Sequence, residues 1–129
     1  MKKRSSAQKS LKRSTCPVAN CLDILGDKWT LLLVRDLFLG KSTYGEFQDS
    51  PEKIPTNLLS ERLKRLEGYG IIIKHPYQQK PVRYSYTLTD KGRALKPVLK
   101  AVLDWGINYI PGTDTRMLDA YLKKKGRKS

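Results

Sequence analysis

Apolar residues recur along this chain first with a helical period and then, over one short stretch, with a period of two. Val18, Cys21, Leu22 and Leu25 fall on one side of a helix over Pro17 to Leu25, stopped by Gly26. Asp27 offers an N-cap to a second helix that carries Trp29, Leu32, Leu33 and Leu37 and runs through Leu39. Gly40 suits the left-handed residue that ends it. Thr43-Tyr44-Gly45-Glu46 has capping-box spacing, with Thr43 at the N-cap and Glu46 at the third helical position, and opens a short third helix ending near Asp49. Pro55 suits the first turn of a fourth helix over about 55–67, closed by Gly68-Tyr69-Gly70. The period then changes. Ile71-Ile72-Ile73 is β-branched, and Val82, Tyr84, Tyr86 and Leu88 alternate with Arg83, Ser85 and Thr87. Residues 76–81 are expected to join the two strands through a polar tip of Gln78, Gln79 and Lys80. Tyr84 and Tyr86 lie on the apolar side of the alternation, which favours core packing over base stacking. A long helix over about 90–109 follows. Pro97 removes one of its backbone hydrogen bonds and predicts a bend or an early break. A last short helix fits within 111–122.

This order predicts a mainly α fold with a small β-hairpin (α+β), a winged helix-turn-helix in which the second helix of the motif enters the major groove. The fourth helix has the required two faces. At 100° per residue, Leu58, Leu59, Leu63 and Leu66 share one side, and Asn57, Ser60, Glu61 and Lys64, flanked by Thr56, share the other. Asn57 can pair with adenine, Glu61 can accept from cytosine, and Lys64 can reach guanine or a phosphate. Arg62 and Arg65 sit nearer the buried side, where clamping a phosphate and pairing with an acid are both open. Taken alone, the helix favours a solvated surface face. The capped helix before it and the hairpin after it favour DNA. Lys80 and Arg83, with Gln78 and Gln79, can rest on phosphates or enter the minor groove.

Charge adds a second feature. The 129 residues carry a formal net charge of +14. Residues 1–15 hold six Lys or Arg and residues 123–128 hold five, neither with an acid, which leaves the body at +3. Residues 1–15 read as a disordered basic arm, 16–110 as the winged domain with its C-terminal helix, and 111–129 as a short segment with a basic tail. Such tails hold a polyanion without sequence preference, so a non-specific binder of nucleic acid or of a membrane surface is the competing class. A winged helix that binds only protein is a third. No apolar run approaches the roughly 20 residues that span a bilayer, and the protein is expected in the cytoplasm, associated with the nucleoid. His75 is the only histidine, and no nucleophile–base pair, metal cluster or phosphate-binding glycine loop is present. No enzyme activity, metal or cofactor is expected.

Several segments, in order, resemble the HxlR-type winged-helix regulators, relatives of the MarR-like group. They are Cys16-Pro17-Val18, Gly26-Asp27-Lys28-Trp29, Ile54-Pro55-Thr56-Asn57-Leu58-Leu59, Glu61-Arg62-Leu63-Lys64-Arg65-Leu66-Glu67, Pro81-Val82-Arg83-Tyr84, Tyr86-Thr87-Leu88-Thr89, Gly92 and Asp104-Trp105-Gly106. The likeness covers about residues 16–106. It implies a bacterial homodimer that binds double-stranded DNA at an inverted-repeat operator, with no effector specified. It also implies that the terminal helices pair in the dimer, a role that the stripe Leu95, Leu99, Val102 and Tyr109, with Val98, Leu103 and Trp105 beside it, suits, the helix at Pro17–Leu25 adding contacts. Packing within one subunit is the alternative. Where the family often has a basic residue before the aromatic that starts the third helix, Thr43 precedes Tyr44 here, so the phosphate contact there is left to a hydroxyl. Some members sense oxidants through a cysteine matching Cys16. Two readings of Cys16 stand, a thiolate sensor beside a helix start and a basic arm, and a small half-buried residue at a dimer contact. Cys21 lies among apolar residues and reads as core.

Overall fold

The computed structural model describes residues 13–119. Its elements are α1 (Pro17–Leu25), α2 (Thr30–Phe38), α3 (Tyr44–Gln48), α4 (Thr56–Gly68), β1 (Ile72–Gln79), β2 (Val82–Leu88), α5 (Asp90–Arg93) and α6 (Lys96–Tyr109). A further helical turn begins at 116. The fold is the expected mixture of helices and one antiparallel hairpin.

The core forms where α2, α3, α4 and the root of the hairpin meet. Leu33, Val34 and Leu37 pack with Phe47, with Leu59, Leu63 and Leu66, and with Ile71 and Ile72. Burying each such leucine contributes roughly 2 kcal/mol of transfer free energy. Asp27 starts the turn that leads into α2 by accepting from the Trp29 and Thr30 amides at 3.0 and 3.1 Å. Gly40, at φ 98°, follows the helix as the sequence predicts. The capping box at Thr43 and Glu46 is complete in both directions.

A buried charge fixes the turn of the motif. Asp36 is 1% exposed. It accepts from Arg35 at 2.9 Å and from the Ser50 hydroxyl, and Lys41 Nζ donates to the same hydroxyl at 2.8 Å. Arg35 also holds Glu52 through two bonds of 2.8 and 2.9 Å. The end of α2 is thus tied to the loop that leads into α4, with the buried carboxylate satisfied by partners from both sides.

Two expectations are corrected. Pro55 is the N-cap of α4, one residue before the helix rather than within its first turn. Residues 76–79 belong to β1, so the hairpin closes through Lys80-Pro81 alone, with Gln79 paired to Val82. Pro76 is tolerated because each strand of a two-stranded ribbon is an edge, and the register shifts just after it, between Pro76 and Gln78. The C-terminal helix divides at Ala94–Leu95, giving the early break that Pro97 predicts, with the proline in the first turn of α6. Leu95 packs on the core of its own chain and Leu99 is half-buried, whereas Val102 and Tyr109 are exposed. The exposed apolar face of α6 includes Val98, Val102, Trp105 and Tyr109, and Leu95, like Leu99, is half-buried.

Two contacts hold the flanks. Thr43 bridges Ser85 and the Tyr86 amide donates to Ser42 at 2.8 Å, so β2 runs beside the start of α3. Thr89 caps α5 and donates to the Ile71 carbonyl, which brings Gly92 against the backbone. A Cβ on Gly92 would lie 2.2 Å from the Ile71 oxygen, so only glycine fits. At the other end, Arg13 pairs with Asp23 at 2.6 Å and Asn20 donates to the Ser14 carbonyl at 2.9 Å. The last residues of the segment read as an arm are fastened to α1, while residues 1–12 and the tail from 120 onward lie outside the described residues. α1 has no buried residue. Val18 and Leu22 are exposed and Cys21 is half-buried rather than core.

Candidate nucleic-acid interface

The site begins with α4. Leu59, Leu63 and Leu66 are buried and Leu58 is half-buried, which turns Thr56, Asn57, Ser60, Glu61 and Lys64 outward. Two arginines lock that rotation from the inner side. Arg62 Nε donates to Asp27 at 2.9 Å and its guanidinium also meets Glu61. Arg65 donates to the Asp23 carbonyl at 2.8 Å and to that of Ile24 at 3.3 Å. Of its two open roles, Arg62 takes the pairing with acids, and it is withdrawn from the outward face. Burial works to raise the pKa of Asp27, but bonds from the Thr30 hydroxyl, Arg62 and the Trp29 and Thr30 amides outweigh it and hold the carboxyl at about 2. The pair is charged at any physiological pH.

The third helix buttresses the fourth. Tyr44 Oη donates to the Thr56 carbonyl at 3.0 Å and meets the Ser60 hydroxyl, and Gln48 Nε2 donates to the Thr56 hydroxyl at 3.3 Å. Tyr44 is thereby a positioning residue for the start of α4. The Thr43 hydroxyl is used in the capping box with Glu46.

Between α4 and the wing lies a polar groove of about 440 Å³, walled by Asn57, Ser60, Glu61, Lys64, Lys74 and Tyr86 among others. Lys74 and Tyr86 are neighbours in the hairpin register, and the Lys74 ammonium sits 4.5 Å from the centroid of the Tyr84 ring. Burial, and then the Glu67 carboxylate, push the Tyr86 phenol above its ordinary pKa, so it stays a neutral donor. The sequence reading missed Lys74 and assigned Tyr86 to packing alone. Their cross-strand pairing was the available signal, hidden by the misplaced tip. At the true tip, Lys80 and Arg83 are exposed, and they, like Lys64, form no ion pair among the described residues. The arrangement offers hydrogen-bonding groups on one helix and unpaired cations on a projecting ribbon beside it. That is the division of base-edge and phosphate contacts that duplex DNA requires.

Cys16 lies apart from this surface. It is exposed at the N-cap of α1, where the amides of Ala19 and then Val18 draw its thiol below the ordinary value.

Among the described residues no cluster of ligating side chains suits a metal ion, and no helix is long and apolar enough to cross a membrane.

Comparison with known proteins agrees with the geometry. The profile of the HxlR-like helix-turn-helix family matches residues 24–123. The HTH-type transcriptional regulator YdeP of Bacillus subtilis is 40% identical over 94 residues, 73% of each chain. The solved structure of PA1607, a transcription factor by its description, superposes with a TM-score of 0.71 at 42% identity and covers 81% of this chain and 74% of its own. The redox regulator HypR in its oxidised form gives 0.66 at 34% identity, covering 72% and 96%. With this winged motif and these relatives, the chain belongs to the HxlR-like helix-turn-helix family of DNA-binding transcription regulators.

Proposed function

We propose that two copies of this chain bind an inverted-repeat operator in double-stranded DNA. α4 lies in the major groove of each half-site, and the Lys80–Arg83 end of the wing rests on the flanking backbone. The observation that carries this reading is the outward face of α4, where Asn57, Ser60, Glu61 and Lys64 line one polar groove with the wing while Arg62 and Arg65 hold the helix from behind. Asn57, Glu61 and Lys64 read base edges. Thr56, whose hydroxyl only accepts from Gln48, offers its proton to phosphate, and Thr43 acts by capping α3.

The exposed Val98, Val102, Trp105 and Tyr109 of α6, together with Val18 and Leu22 of α1, supply the self-complementary surface of the dimer. Two-fold symmetry then sets the recognition helices about 34 Å apart. Residues 16–110 form the binding unit, and the basic tails lengthen residence on DNA without reading sequence.

Selection from random duplex DNA with the full-length chain, in the presence of excess non-specific competitor, tests this. An enriched inverted repeat is expected. Enrichment of no sequence by a folded dimer would refute it and favour a non-specific binder held by its tails.

Cys16 makes the regulator responsive to oxidants. Its accessible thiol at a helix start favours the thiolate, and HypR, to which the chain is similar, is a redox regulator. Diamide is expected to change operator affinity in the native chain and not in Cys16→Ser. An equal response in both would remove Cys16 as the sensor.

A further inference from the structure

Neighbouring residues on a helix do not ordinarily face each other. On α4 one such pair meets. Glu61 lines the groove and is 53% exposed, and its Oε1 is held by Arg62 of the inner flank. The usual helical partner would be Lys64, three residues on, which forms no ion pair among the described residues. Arg62 is itself fixed. Its side chain is 16% exposed and its Nε donates to Asp27 at 2.9 Å. Asp27 is fixed in turn by the Trp29 and Thr30 amides and the Thr30 hydroxyl. Three charges therefore run in a chain from the turn before α2 to the outward face of α4. At its end, Glu61 Oε2 makes no hydrogen bond among the described residues.

A carboxylate brought into the major groove meets the field of the phosphates, and without a counter-charge it opposes binding. Arg62 supplies that charge from behind the helix. With one oxygen tethered and the other free, Glu61 is an acceptor of fixed direction. In the major groove cytosine presents a donor, its N4 amino group. Adenine sets the N7 acceptor beside its amino group, and guanine and thymine present acceptors. A tethered carboxylate matches the first and is repelled by the acceptors of the others.

We propose that Arg62, anchored by Asp27, is a positioning residue for base reading. It holds and neutralises Glu61 so that the free oxygen accepts from the amino group of a cytosine. Asp27 and Arg62 thereby set base preference at one position of each half-site without touching DNA. This rests on the reading of α4 as the recognition helix.

The test is competition binding by the full-length chain, between the repeat it selects and single-base-pair variants of that repeat. The native chain should prefer cytosine at one position per half-site by at least about fivefold, and Glu61→Ala should abolish that preference. Arg62→Lys keeps a cation against Asp27 but lacks the planar fork that meets two carboxylates. It should flatten the same position and leave preferences at the others within about twofold. Asp27→Asn should flatten that position too. Added to Glu61→Ala, Arg62→Lys should change nothing further there. Arg62→Gln leaves Glu61 uncompensated and should weaken binding to the repeat by at least about tenfold. Glu61→Ala, added to it, should restore most of that loss.

A residue that only fastened α4 would behave differently. Its loss would lower affinity for every variant of the repeat alike, and removing Glu61 would restore nothing. Either result, or a cytosine preference that survives Glu61→Ala, overturns the inference and leaves the operator reading standing. A native chain that selects no repeat refutes that reading and the inference with it.

Discussion

The motif from α2 to the hairpin and the pair α1 and α6 solve the same problem to different degrees. The first region buries its leucines completely and answers its one deeply buried carboxylate, Asp36, with Arg35 and Ser50. The second has no buried residue in either helix and leaves Trp105 61% and Val18 65% exposed. Both kinds of surface come from ordinary amphipathic helices. They differ in whether the chain supplies the other half of the contact. A region finished within one subunit should respond to mutation as a monomer does, and an unfinished one should respond through protein concentration.

The largest effect should come from breaking the finished region. Leu63→Ala opens a cavity among Leu33, Phe47 and Leu59 and should cost about 3 kcal/mol in denaturant unfolding, independent of protein concentration. Trp105→Glu should act on the other region. It leaves the core intact and raises the dimer dissociation constant in sedimentation by the equivalent of about 2 kcal/mol, a typical loss for a central aromatic. If its cost appeared equally at every protein concentration, the contrast between the regions would fail.

Asn57→Ala sharpens the comparison within the motif itself, because it changes reading without touching packing. It should weaken operator binding by about 1–3 kcal/mol and relax preference at one base pair, with an unchanged melting temperature. Asp27→Asn does the reverse. It removes a helix-start acceptor and the partner of Arg62 and should cost on the order of 1 kcal/mol of stability. The sign with pH follows from the depressed pKa. The carboxyl moves from 3.8 unfolded to about 2 folded, so its contribution is full above about 4 and is lost as pH falls through about 2. The native chain should lose stability across that window, and Asp27→Asn should lose less. A parallel decline in both proteins would remove Asp27 as the cause.

What could be read from the sequence was what is local. The capping box needs only Thr43 and Glu46, and the faces of α4 need only the 100° step, so both were visible. The hairpin tip was misplaced because Pro76 reads as a breaker, and its tolerance depends on there being no further strand beside it. A helical wheel puts Leu95, Leu99, Val102 and Tyr109 on one side but does not show that the first two are half-buried in their own subunit while the last two are exposed. The partners of Arg62 and Arg65 lie 35 and 42 residues away, and no local pattern ties these residues together. Of the candidate site, the outward residues of α4 were legible. The hairpin's share, Lys74 and Tyr86, was not, because it depends on register.

α4 carries two sets of residues that do not overlap. Leu59, Leu63, Leu66, Arg62 and Arg65 attach the helix to the rest of the subunit, and among the described residues the side chains of Asn57, Glu61 and Lys64 make no bond to that scaffold apart from the pairing of Glu61 with its neighbour Arg62. The outward set can therefore drift, or be rewritten by design, with little penalty to folding. A gene duplicate would need only two or three codon changes there to acquire a new address in the genome, while keeping its architecture and whatever signal it obeys.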